Sequence, residues 1–291
     1  MDLAHRIINV FTVGSDPFSG NPLAVFEDAA GLSGEQMQHL ARQLNLSETT
    51  FVTSLDPGDG VDATVRVFTP DYELPFAGHP ALGTAYVVAD LLGEGTREVL
   101  LGMPAGRVAV SLTAGVWTLT APVAPSVRDV SATPAQLAEM VGLDADDLTG
   151  GSRWVDTGVE SLVLPVRSVE AVRRAVADPR LLRVHGQSPL GESMVYLWAE
   201  TGADAATGES TVEARLFFTQ GTGIVEDPAT GSACANLGGW FHERGARSLR
   251  RVVRQGDAVN RPSQLRLEVT GDGTIRVGGT LHQLGVGVIR L

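Results

Sequence analysis

The chain has 291 residues, 43% of them hydrophobic, and a formal net charge of −12. That size and apolar share fit a globular protein of one or two domains, and the acidic balance argues against nucleic acid or an anionic membrane as a main partner. A single cysteine excludes an internal disulfide and a cysteine-cluster metal site, and the absence of lysine (all 22 basic residues are arginine) excludes pyridoxal-phosphate chemistry, Schiff bases and a Walker-type phosphate loop.

The N-terminal stretch "MDLAHRIINVF" lacks the basic start and apolar block of a signal peptide. No uncharged apolar run is long enough to span a bilayer, so a cytoplasmic location is expected. "RIINVF" and "NPLAVF" read as strands around the turn "SDPFSGN". An amphipathic helix follows over residues 33–44, with Ser33 as N-cap, Gln36 as its capping-box partner, and Met37, Leu40, Ala41 and Leu44 on one face. "ETTFVT" and "DATVRVF" read as further strands. The stretch "APVAPSVRDVSATP" (121–134) reads as a join rich in Pro, Ala and Ser. Beyond it come "VDTGVESLVLPV", a helical "VEAVRRAVAD", and the strands "SMVYLWAE" and "VEARLFF". The basic cluster "RGARSLRRVVR" (244–254) reads as a solvated surface or strand flank rather than an anion site. No GxGxxG follows a strand, and His242-Glu243 has no second histidine at the spacing of a zinc motif.

An internal duplication is the strongest signal. "HPALGTA" (79–85) and "DPATGSA" (227–233) share Pro, Ala, Gly and a final Ala, and the second copy sits 148 residues after the first. What precedes them also matches, "VRVFTP" against "ARLFFTQ". Two homologous domains follow: residues 1–122, and residues 123–282 with the last strand, about 283–291, packing back onto the first. The helices after the two motifs are apolar or small nearly all round and are therefore expected to be buried on every side. Each half reads as a mostly antiparallel, barrel-like sheet curled around one central helix, an α+β architecture.

Pro80 and Pro228 suit a first helical turn, and Asp227 suits an N-cap, whereas His79 does not. Small side chains leave the first-turn N–H groups accessible, and such an end attracts an anion. If the halves face each other about a pseudo-twofold, both helix starts would point into one cleft able to hold a carboxylate. Close helix–sheet packing alone explains the glycines and alanines but not His79 and Asp227. Cys234 lies beyond the first turn of an apolar helix and reads as a buried, inert thiol.

The stretches "VFTVGSDPFSGNPLAVF", "LNLSETTFV", "RVFTPDYELPFAGHPALGTA", "GIVEDPATGSACANLGGW" and "QGDAVNRPSQL" resemble the phenazine-biosynthesis isomerase (PhzF-like) family over nearly the whole chain. The resemblance implies the diaminopimelate-epimerase fold. It also implies a reaction that moves a proton between two carbons of a dihydro-hydroxyanthranilate. Epimerases of this fold use two cysteines, one at each motif helix; that pair is missing here. The resemblance instead assigns the proton to Glu48, in "NLSETTFV". It gives His79 and Asp227 contacts with polar substituents and a share in proton movement. Gly78, Gly231 and Ser232 would donate to a substrate carboxylate, and Asn21, in "SGNP", would line the cleft. Glu73 reads as structural, and Glu192 is a further carboxylate to which the sequence assigns no role. No metal or organic cofactor is implied, the substrate is a small carboxylate, and a homodimer is the expected assembly. Two other readings stay open at this point: a racemase or epimerase using Glu48 and Asp227 as its bases, and a non-catalytic carboxylate-binding protein.

Overall fold

In the computed structural model, which describes residues 1–56, 58–93, 95–189, 193–204 and 208–291, the chain divides into two units. Unit 1 holds Met1–Thr120 and Gly278–Leu291; unit 2 holds Ala121–Val277.

Unit 1 begins with β1 (Asp2–Thr12) and β2 (Asn21–Phe26), antiparallel neighbours rich in the β-branched and aromatic residues that suit a pleated surface. The chain turns between them at Gly20, whose φ is +82° and where a Cβ would sit 2.5 Å from the Val10 carbonyl oxygen. Helix α1 (Gly34–Leu44) starts at Ser33 with the expected capping box to Gln36 and buries Met37, Leu40 and Ala41. It ends at Asn45 in the left-handed conformation. Then come β3 (Glu48–Leu55), β4 (Ala63–Phe68), the short β5 (Glu73–Leu74), α2 (Gly78–Leu92), β6 (Glu98–Met103), β7 (Gly106–Thr113) and β8 (Val116–Thr120).

Unit 2 runs β9 (Ser126–Arg128), α3 (Pro134–Met140), β10 (Arg153–Asp156), β11 (Ser161–Pro165), α4 (Val169–Arg174), α5 (Pro179–His185), β12 (Met194–Ala203), β13 (Ser210–Gln220), β14 (Gly223–Asp227), α6 (Gly231–Glu243), β15 (Leu249–Gln255) and β16 (Ser263–Val269). The last strand, β17 (Ile275–Arg290), carries the chain from unit 2 into unit 1. Within unit 1 it pairs with both β1 and β8, which closes the sheet into a barrel.

The duplication seen in the sequence is also a duplication of pairing. β1–β2 is antiparallel, β2–β3 parallel, β3–β4 antiparallel and β4–β6 parallel. In unit 2, β10–β11, β11–β12, β12–β13 and β13–β15 repeat that series in the same order. Each second parallel pair needs a crossover, and the crossover is the motif helix, α2 or α6. The fold is therefore α+β, a mixed sheet curled around a buried helix in each unit.

Small residues set how closely these helices approach their sheets. A Cβ at Gly83 of α2 would lie 2.5 Å from Leu23 Cδ2 and 3.1 Å from Val10 Cγ2. Gly238 of α6 has the same relation to Ile275 and Leu267, each at 2.9 Å. A buried hydroxyl pair adds a polar tie, Thr84 Oγ1 donating to Thr50 Oγ1 over 2.8 Å.

Unit 2 begins at Ala121, the start of the stretch 121–134 read as a join, and that stretch carries β9, which pairs with β10; Arg128 lies 4.4 Å over the Trp154 ring and forms two hydrogen bonds to Glu160. Two sequence expectations change. The helix expected over "VEAVRRAVAD" stops at Arg174, and a new one starts at Pro179 under an Asp178 cap. Finally, Asp227 does not cap α6: it ends β14, Pro228 precedes the helix, and Thr230 occupies the N-cap position. The basic stretch 244–254 runs into strand β15, where Arg250 pairs with Glu268 and Arg251 with Glu200. Among the described residues no helix is long and apolar enough to cross a membrane, and no group of three or more His, Cys, Asp or Glu side chains could hold a metal ion. Glu192 lies outside the described residues.

Candidate active site

In unit 1, strand register brings the polar residues together. The parallel β2–β3 ladder sets Leu23 beside Glu48, so Asn21 and Ser47 lie at the same end of neighbouring strands. Helix α2 starts nearby with Gly78 and His79 as its first two residues. His79 Nε2 stands 3.5 Å from Glu48 Oε2, with the two side chains only 5% and 19% exposed. Asn21, fully buried, places its Nδ2 3.4 Å from His79 Nδ1, and Ser47 Oγ donates to Asn21 Oδ1 over 3.3 Å. Glu48, His79, Asn21 and Ser47 thus form one contiguous cluster.

Burial pushes the Glu48 carboxyl up to about 7, against the opposing pull of hydrogen bonding from Ser47. A carboxyl poised near neutrality can both take and return a proton, which an ordinary surface glutamate at pH 7 does poorly. No side chain caps the start of α2. The Gly78 and His79 N–H groups at that end carry the positive pole of the helix, a suitable place for a carboxylate.

Unit 2 builds the counterpart group differently. Asp227 accepts a short hydrogen bond from the Thr230 hydroxyl, and no side chain caps α6, whose first two residues are Gly231 and Ser232. Buried Gln255 clamps the turn: its Nε2 donates to the Asp227 carbonyl (2.8 Å) and to Thr230 Oγ1 (3.0 Å), while Tyr196 OH donates to its Oε1 (3.4 Å). Cys234, one turn further on, is buried, and burial pushes its thiol up, away from the thiolate a nucleophile needs.

Each motif helix is preceded by the same device. Arg66 forms two hydrogen bonds to Glu73 (2.7 and 2.6 Å) and lies 5.0 Å over the Phe68 ring. In the second copy Arg215 does the same with Glu226 (3.0 and 2.6 Å) and lies 4.6 Å over Phe217. Both glutamates stand directly opposite the phenylalanine in the hairpin, Phe68 facing Glu73 and Phe217 facing Glu226. Glu73 is therefore an ion-pair partner in the scaffold.

Reading residues one at a time singled out neither Ser47, Thr230 nor Gln255. All three lie in the stretches that carry the family resemblance, but only pairing between strands reveals whom they touch.

Residues 8–282 match the PhzC-PhzF family, described as phenazine biosynthesis-like protein. An uncharacterized isomerase of Pasteurella multocida is 37% identical over 98% of this chain and 93% of its own length. The trans-2,3-dihydro-3-hydroxyanthranilate isomerase of Pseudomonas aeruginosa is 32% identical over 92% of each chain. Among solved structures, a PhzF-family protein of Bacillus anthracis superposes with a TM-score of 0.86 over the whole of both chains, at 22% identity. A protein described as a predicted epimerase from Pseudomonas aeruginosa gives 0.80 at 31% identity over 99% of each chain. A hydroxyproline epimerase from Agrobacterium vitis (TM-score 0.61, 14% identity, 100% of this chain and 93% of that one) shares the fold. The chain therefore belongs to the PhzC-PhzF family and is an isomerase of the PhzF-like kind.

Proposed function

We propose that this isomerase moves a proton between two carbons of a small carboxylated metabolite, with Glu48 as the acid/base that carries it. The observation behind this reading is the buried Glu48 carboxyl, raised to about 7, beside His79 at the uncapped start of α2. As a carboxylate Glu48 removes the proton; as a carboxylic acid it returns it to the accepting carbon. Gly78 donates its N–H to the substrate carboxylate, and His79 stabilises Glu48 and contacts a polar substituent. In unit 2 the same reading gives Asp227 a polar substrate contact, and Gly231 and Ser232 donors for a carboxylate. Relatives named trans-2,3-dihydro-3-hydroxyanthranilate isomerase support a cyclic dihydro-hydroxy acid as the first substrate to try. The chemistry requires a proton carrier and an oriented anion and no cofactor, and the family resemblance supports a homodimer.

The test is turnover of such an acid in deuterated water by the wild-type protein and by Glu48→Gln. Isomerisation by the wild type, with loss of at least about a hundredfold in kcat for the variant, is expected. Full turnover by Glu48→Gln would remove Glu48 from the reaction. A second reading, an epimerase using Glu48 and Asp227, draws on the solved relative described as a predicted epimerase. It requires inversion of a chiral centre, which chiral chromatography of the product decides.

A further inference from the structure

The two ring nitrogens of His79 face different groups. Nδ1 has Asn21 Nδ2 at 3.4 Å, and Nε2 has Glu48 Oε2 at 3.5 Å. An amide nitrogen carries two protons and no available lone pair, so toward an imidazole it can only donate. The ring nitrogen it faces must then be the one with the lone pair. At its other end the amide presents Oδ1 to the Ser47 hydroxyl over 3.3 Å. Asn21 is fully buried, and the β2–β3 register holds it beside Ser47.

Resting on the reading of Glu48 as the proton carrier, we propose that Asn21 is a positioning residue that locks His79 in the neutral Nε2–H tautomer. In that form the proton sits on Nε2, the nitrogen 3.5 Å from Glu48 Oε2, and the lone pair on Nδ1 is already engaged. The ring then offers no basic nitrogen to the shuttled proton. The proton taken from substrate rests on Glu48 alone, and with Oε2 turned to His79, Oε1 is the oxygen that exchanges it. Catalytic pairs of this kind often stand slightly long and tighten around substrate, as the 3.5 Å separation allows. The second ring contact of a working histidine commonly sets its tautomer.

The tautomer is read directly from long-range proton–nitrogen NMR spectra of the full-length, nitrogen-15-labelled protein. The His79 signals are identified by their loss in His79→Gln. The wild-type ring is expected to carry its proton on Nε2. Asn21→Asp puts an acceptor against Nδ1 and is expected to move the proton there. Asn21→Leu, of similar size and without polarity, is expected to leave a mixture of both forms and serves if the aspartate variant does not fold. In turnover, Asn21→Asp is expected to lower kcat at least about tenfold while KM changes less than about twofold. A residue that merely bound substrate would raise KM instead. A wild-type ring protonated on Nδ1, or variants with an unchanged tautomer, would overturn the assignment. Retained turnover by Glu48→Gln alongside an Nε2–H ring would end the Glu48 reading and leave the tautomer standing.

Discussion

The imidazole of His79 and the carboxylate of Glu48 meet at 3.5 Å across the end of the unit 1 barrel, each contributed by a different element. Strand β3 supplies the acid and the first turn of α2 supplies the ring. Burial of that pair sets the first prediction.

Glu48 has a folded value of about 7 against an ordinary 4.5, so the folded protein holds this proton more tightly than the unfolded chain. The sign follows from linkage: the contribution to stability is full below pH 4.5 and is lost as pH rises toward 7. The loss amounts to at most about 3 kcal/mol. Denaturation measured across that range should show Glu48→Gln gaining on the wild type as pH rises. The proton-abstracting form is the carboxylate, so kcat/KM should climb with pH and level off above about 7. A stability difference independent of pH would show that burial does not raise this carboxyl.

The Arg–Glu pairs before the two motif helices look alike but differ in burial. Arg215 and Glu226 are 13% and 9% exposed, while Arg66 and Glu73 are 32% exposed each. Arg215 also donates to the carbonyls of Val172, Arg173 and Ala175 at the end of α4. Arg215→Met strands a buried carboxylate and should cost about 3 kcal/mol or more. Arg66→Met should cost about 1 kcal/mol, as half-buried pairs do. Urea midpoints of the two variants give the comparison, and equal losses would contradict it.

Gly83→Ala sets two effects against each other. Alanine favours a helix interior by about 1 kcal/mol over glycine. The new methyl, however, would meet Leu23 and the stiff side chain of Val10, both fully buried, at 2.5 and 3.1 Å. Overpacking costs about 1–3 kcal/mol, so a net loss of about 1 kcal/mol is expected in thermal or urea unfolding. A stabilised variant would mean that the sheet yields at this point.

Cys234→Ala should leave turnover within about twofold of the wild type, because a buried thiol raised in this way supplies no thiolate. Steady-state kinetics of the variant check it, and a large fall in kcat would return the cysteine to the chemistry.

The sequence alone determined the local elements and their repetition. The Ser33 capping box, the period of the strands and the duplicated motif are written in neighbouring residues, where helix and strand preferences act. The all-round apolar helices after each motif likewise announced a buried centre. Helix starts were less legible. The two copies align over seven positions and are identical at four, yet α2 begins at Gly78, before its motif, whereas α6 begins at Gly231, within its own. Gln255, 28 residues beyond Asp227, clamps the second turn by bonds that no local spacing encodes. Nor could periodicity say that Asn21, Ser47 and Glu48 share one end of a parallel ladder, since register is settled by side-chain packing across strands. Only the folded arrangement decided which polar groups touch, because burial and contact between distant residues are properties of the closed sheet.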